Sequence, residues 1–268
     1  MAFKVLLKRF KAFKIKKVTV RKIKIKNTNN TDSERIWTGV SHGFHAVERD
    51  VETDGFVHAQ REQVEGHEFW LFGAFDQQMG PGITKYLQSR LFDNNLNENQ
   101  IRRKAKATMK KAYASTKIKI QAQKENNSRG SSSVLVMKGE RFVSASIGGY
   151  RAILCRDGLG TQLGLKHQRK VRRKWAVSDI WNMKCTSTNG ENNPNKSSKL
   201  AISSKKVEAE TEFIILASDG VWQVMRNQEA VDLIAHIEDA QKAAECLAEE
   251  ALNRMSKSAI QCIVIRFH

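Results

Sequence analysis

The sequence is most informative first in what it lacks. No run of about 18 apolar residues occurs anywhere in the 268 residues, which excludes a membrane-spanning helix. The N-terminus is basic but has neither a continuous apolar stretch nor a small-residue cleavage site, so no secretory leader is expected. The four cysteines, Cys155, Cys185, Cys246 and Cys262, form no CxxC pair, and no histidine joins them at zinc-finger spacing. Cys155, Cys246 and Cys262 sit among apolar residues and are expected to act as small core hydrophobes of a reduced, intracellular protein. Glycine-rich phosphate loops of the GxGxxG and Walker types are absent, and so is any internal repeat.

Acid is missing from two segments. Residues 1–26 hold 11 Lys/Arg and no Asp or Glu, and residues 166–174 (KHQRKVRRK) hold 6 more with none. The whole chain has 46 basic and 28 acidic residues, net +18; without those 17 basic residues the remainder is 29 against 28. The body is therefore nearly neutral, and the excess belongs to two additions. Each could meet an acidic surface or nucleic acid, and Lys166–Lys174 resembles a nuclear-localisation or phosphate-backbone patch. No aromatic stacking platform accompanies Lys166–Lys174. Phe3, Leu6, Leu7, Phe10 and Phe13 lie near helical spacing among lysines, which suits a basic amphipathic helix or a solvated arm.

Hydropathy patterning divides the chain into a basic arm with a polar linker (1–40) and a folded body (41–268). Phe69–Phe75 (FWLFGAF), Phe213–Ala217 (FIILA) and Ile260–Phe267 (IQCIVIRF) are continuous apolar runs, expected as strands buried on both faces. Ser133–Met137, Phe142–Ile147 and Ala152–Cys155 are shorter strand candidates, with a hairpin turn at Lys138-Gly139-Glu140. Helices are expected over Gly80–Phe92, with Pro81 in the first turn, and over Gln100–Ala122, whose outer face is strongly basic. Two more are expected over Asn227–Ile237, with Asn227 as N-cap, and Ala240–Met255. Residues 157–212 show little periodicity. Strands and helices come in blocks, which points to an α+β layered fold with largely antiparallel sheets.

Two segments carry a resemblance. FIILASDGVWQVMRNQEAV (Phe213–Val231) and NRMSKSAIQCIVIRF (Asn253–Phe267) are similar to the closing portion of plant type 2C protein phosphatases, the metal-dependent serine/threonine phosphatases. SHGFHAV (Ser41–Val47), EGHEFWLFGAFD (Glu65–Asp76), YLQSRLF (Tyr86–Phe92), RGSSSVLV (Arg129–Val136) and IGGYRAILCRDG (Ile147–Gly158) follow in the family's order. The resemblance implies a four-layer α/β/β/α sandwich of two mainly antiparallel sheets flanked by helices. It also implies chemistry by two Mg²⁺ or Mn²⁺ ions held about 4 Å apart by carboxylates, with a shared water as nucleophile.

The implied site residues are only partly present. Asp76 stands at the metal-bridging position, Asp219 at the metal-binding Asp of the Ser-Asp-Gly motif, and Asp54 near the first carboxylate pair. Gly55 replaces the second acid of that pair. Gln77 replaces a glycine whose carbonyl contacts metal, and Gln78 the histidine that protonates the leaving group. A glutamine amide cannot act as a general acid near neutral pH. Gly149 replaces the acid of a Gly-Asp-Ser-Arg motif, here Gly148-Gly149-Tyr150-Arg151. Ser258-Ala259 replaces the final acidic pair, and Gln223 a variable Asp after Trp222. Trp175–Trp181 stands where a Phe-Gly-Asp motif is expected.

This pattern describes a pseudophosphatase with a vestigial Mg or Mn site (Asp76, Asp219, Asp54) and no cofactor required. It would be a monomer in the cytoplasm or nucleus, binding a phosphoprotein or a kinase. The alternatives are a weak Mg/Mn-dependent serine/threonine phosphatase and an anionic-surface or nucleic-acid binder. Asp76 and Asp219 could equally serve as turn formers. The histidines His42, His45, His58 and His67 match no zinc spacing; His42 and His45 are expected to be structural.

Overall fold

In the computed structural model, residues 39–47, 55–64, 67–76, 79–91, 98–122, 130–164 and 200–268 are described. The basic arm 1–26, Asp54, Gln77, Gln78, Lys166–Lys174 and Trp175–Trp181 lie outside them.

Among the described residues, ten strands build two five-stranded sheets, antiparallel throughout. The first sheet has the order β1 (Val40–Val47), β10 (Ile260–Phe267), β9 (Thr211–Ala217), β6 (Arg151–Arg156), β7 (Leu159–Gln162). The second has the order β2 (Phe56–Val64), β3 (His67–Phe75), β4 (Ser132–Lys138), β5 (Arg141–Ile147), β8 (Ala201–Lys206). Helices α1 (Gly80–Leu91) and α2 (Glu98–Ala122) cover the second sheet. The one-turn α3 (Asp219–Trp222), α4 (Asn227–Ile234) and α5 (Ala240–Asn253) cover the first. The order of layers is helix, sheet, sheet, helix. Among the described residues no helix is long and apolar enough to cross a membrane.

This layering explains why the central strands are continuously apolar. Successive side chains of a strand point to opposite faces, and here both faces are dry. Along β9, Ile214 and Leu216 face the other sheet while Phe213, Ile215 and Ala217 meet α4 and α5. On β3, Trp70 and Phe72 enter the inter-sheet core, whereas Phe69, Leu71 and Phe75 pack beneath α1 and α2. Each fully buried side chain of this size contributes about 1.5–3 kcal/mol. His42 joins the inter-sheet layer, its ring edge-on to Trp70 and Phe72 at 5.6 and 5.3 Å, and burial lowers its pKa.

Several boundaries differ from the sequence expectation. Helix α4 is capped by Arg226 rather than Asn227: the Arg226 backbone N–H donates to Glu229 Oε2 at 2.7 Å, so the first-turn acid supplies the cap. Asp239 caps α5 by accepting from the N–H groups of Gln241 and Lys242, at 2.8 and 3.0 Å. The described part of 157–212 contains two strands, β7 and β8, before β9 begins at Thr211. Both are edge strands, half-exposed or exposed, so their residues need no apolar period to pair. Strand β2 is likewise an edge strand, with the polar sequence FVHAQREQV, and carries little apolar signal. Cys155 and Cys262 are buried as expected, while Cys246 is only half-buried.

Candidate active site

The residues singled out by sequence converge because strand ends do. Phe75 of β3, Ser132 of β4 and Ile147 of β5 are in register at one end of the second sheet. Arg151 of β6, Ala217 of β9 and Cys262 of β10 are in register at the same end of the first. The chain crosses from one sheet to the other through Gly148-Gly149-Tyr150. Asp76 follows Phe75, Asp219 follows Ala217-Ser218, and Ser258-Ala259 precedes β10. Gly55 precedes Phe56, the register partner of Phe75.

Asp76 is engaged by the backbone on both carboxylate oxygens. Oδ1 accepts from the Met79 N–H at 2.8 Å, and Oδ2 accepts from the Ser131 N–H. The Asp76 N–H in turn donates to the Ser131 carbonyl at 3.0 Å. Asp76 thereby ties the end of β3 both to the start of α1 and to the entry of β4.

Asp219 opens α3, where a carboxylate in the first turn is favoured by the exposed N–H groups. Its Oδ2 accepts from the Gln223 amide one turn later. The Gln223 Oε1 accepts from the Ser258 hydroxyl at 3.2 Å. A hydrogen-bonded chain Asp219–Gln223–Ser258 thus links two of the implied metal positions. Gln223 is the participant that sequence reasoning set aside as variable; only its reach across to Ser258 reveals it.

The glycines explain how closely these segments meet. Any side chain at Gly220 would strike the carbonyls of Ser258 and Ala259, so the glycine of Ser-Asp-Gly admits the strand that enters β10. A Cβ on Gly149 would stand 2.7 Å from both the Cβ and Oδ1 of Asp219. A Cβ on Gly55 would collide with the Gln261 amide and the Phe75 carbonyl.

Tyr150, 7% exposed, lies within reach of the charges of both carboxylates. Its hydroxyl donates to Gln261 Oε1 at 3.1 Å. Burial pushes the Tyr150 phenol well above its ordinary pKa, and the negative charges of Asp76 and Asp219 push it the same way. Gln261 is held from the other side: its backbone N–H donates to Ser218 Oγ at 2.9 Å, and Ser218 Oγ donates to the Ala259 carbonyl at 2.8 Å.

A pair of divalent cations needs several converging oxygen anions. Among the described residues no group of three or more His, Cys, Asp or Glu side chains could hold a metal ion. Asp76 and Asp219 are both near Tyr150, yet each is already hydrogen-bonded by the chain itself. Among the described residues, Asp76 and Asp219 alone supply fewer anionic oxygens than a two-cation centre needs.

Comparison with known proteins places this architecture. Residues 192–260 match the family model described as protein phosphatase 2C. The chain is 39% identical over 264 residues to "Putative protein phosphatase 2C-like protein 44" of Arabidopsis thaliana, covering 96% of each. It is 34% identical over 255 residues to "Probable protein phosphatase 2C 58" of the same plant, covering 87% of this chain and 90% of the relative. Among solved structures, the Mycobacterium tuberculosis serine/threonine phosphatase PstP/Ppp superposes with a TM-score of 0.56 at 16% identity, over 85% of this chain and 98% of that one. The fold is shared at that distance, and the plant relatives supply the kinship: this chain belongs to the protein phosphatase 2C family.

Proposed function

We propose that this family member is catalytically silent and acts as a scaffold that binds a phosphoprotein or a kinase. One observation carries the reading. At each described position where the resemblance calls for an additional acid, an uncharged residue stands instead. Gly55 lies against Gln261, Gly149 against Asp219, and Ser258 against Gln223. With fewer anionic oxygens, cation affinity falls and the metal-bound nucleophile goes with it. The replacement of the leaving-group acid by Gln78 acts in the same direction. What persists is the four-layer fold with its surfaces, which a binding function needs. The scaffold would work in the cytoplasm or nucleus.

The test is phosphate release from a phosphopeptide by the purified full chain with Mn²⁺ or Mg²⁺, beside Asp76→Asn and Asp219→Asn variants. The expected result is no turnover above that of the variants, and no saturable heat on titration with metal up to about millimolar. Turnover that disappears in Asp76→Asn would overturn the proposal. It would establish the second reading, a weak metal-dependent serine/threonine phosphatase using Asp54, Asp76 and Asp219. That reading draws on the survival of Asp76 and Asp219 at facing strand ends and on the phosphatase names of the relatives. Anionic-surface or nucleic-acid binding through 1–26 and 166–174 rests on charge alone; a steep loss of duplex binding with salt would be its signature.

A further inference from the structure

Helix α2 carries eight Lys/Arg against one acid, Glu98. Its inward side is Ala105, Met109, Ala112 and Tyr113, packed against the second sheet. At about 100° per residue, the opposite side centres on Ala107 and Ala114, both exposed. Two cationic rows flank them. Arg103 and Lys110 form one, Lys104 and Lys111 the other, and all four are exposed. Among the described residues no ion pair uses any of the four; the pairs present join other groups. Ile118, 65% exposed, ends the strip with an apolar contact.

The geometry points to this face as the docking surface for an acidic protein segment. The cation pairs recur every seven residues, about 10.5 Å along the helix axis. An extended peptide advances about 3.3 Å per residue, so acids three apart meet successive pairs. The alanine floor lets a partner backbone lie low between the rows, where acidic or phosphorylated side chains reach both sides. A membrane would call for a broad apolar face, and the described part of α2 exposes one large apolar side chain, Ile118. The inference gives the scaffold reading a surface and rests on it for the idea that the fold is used to bind protein. Phosphate release has no part in its test, so the two fail separately.

The experiment measures fluorescence anisotropy of a labelled synthetic peptide with glutamate at every third position, titrated with the full chain at low salt. Saturable binding is expected. The quadruple variant Arg103→Ala, Lys104→Ala, Lys110→Ala, Lys111→Ala should weaken it at least about tenfold, about 1.4 kcal/mol. Alanine preserves helix propensity, and a glutamine version of the same variant guards against a packing artefact. Neutralising Lys166, Arg169, Lys170 and Arg172, which removes the same number of charges outside α2, should change affinity less than about twofold. Three results would overturn the proposal: no saturable binding; equal weakening by both sets of neutralisations, which would mean net charge alone; or tighter, α2-dependent binding of duplex DNA or of anionic vesicles than of the peptide.

Discussion

Asp76→Asn separates a structural carboxylate from a metal ligand. In the structure each Asp76 oxygen accepts one backbone N–H, from Met79 and from Ser131. An asparagine has one carbonyl oxygen, so it can keep one of these bonds and must turn its NH₂ toward the other donor. Hydrogen bonds to a charged acceptor contribute about 1.5–3 kcal/mol. Asp76 is half-buried, and water can take up part of the orphaned donor's demand. The expected cost is therefore about 1–2 kcal/mol, present equally in EDTA and in Mn²⁺. For a domain of this size each kcal/mol shifts Tm by roughly 2–4 °C, so the fall should be about 2–8 °C. The assay is urea and thermal unfolding of both proteins with and without millimolar Mn²⁺. A ligand that binds only the folded state raises stability by mass action. If wild type gained Tm with Mn²⁺, and Asp76→Asn matched wild type in EDTA but lost that gain, the carboxylate would be a ligand and the turn-forming role would be wrong.

Three further outcomes follow from the same geometry. Gly149→Asp, which restores the family's acid, should destabilise by about 1–3 kcal/mol through overpacking, because its Cβ would stand 2.7 Å from that of Asp219; wild-type stability in urea would contradict the close approach. Tyr150 and Tyr113 are both held neutral by burial, with folded pKa values raised above the unfolded one. The raised value means that their contribution is complete below about pH 10 and is lost as pH climbs beyond it. Tyr150→Phe should consequently flatten the alkaline fall in stability while costing about 1 kcal/mol at neutral pH, and an unchanged alkaline slope would count against it. Burial pushes the thiols of Cys155 and Cys262 up to about 12; an alkylating reagent at pH 8 should leave both unlabelled until urea unfolds the chain, and labelling of the native protein at either would contradict the packing.

The layers were legible in the sequence wherever burial was two-sided. Phe69–Phe75, Phe213–Ala217 and Ile260–Phe267 are apolar throughout because one set of side chains meets helices and the other meets the opposing sheet. Where burial was one-sided or absent, the signal faded. Strands β2, β7 and β8 at the sheet edges have polar or mixed sequences, and they are held by backbone pairing that leaves no composition behind. The N-cap of α4 escaped for a related reason. Its hydrogen bond runs from the Arg226 backbone to Glu229, so the identity of the cap residue carries no message.

The amino-acid sequence by itself determined the kinship of the chain, the α+β composition of its body, and the residue types at each site position, since these are properties of order and chemistry along a line. It also located the excess charge in short segments and on the outer face of α2. Tertiary structure alone decided what those residues touch. Asp76 and Asp219 are 143 positions apart by number, and only the shared end of two stacked sheets brings both beside Tyr150. Gln223 becomes part of the site because one helical turn and a strand entry put Asp219 and Ser258 on either side of its amide. Contacts of this kind depend on register and layer spacing, which are set by packing of the whole core and leave no local trace in the residues that make them.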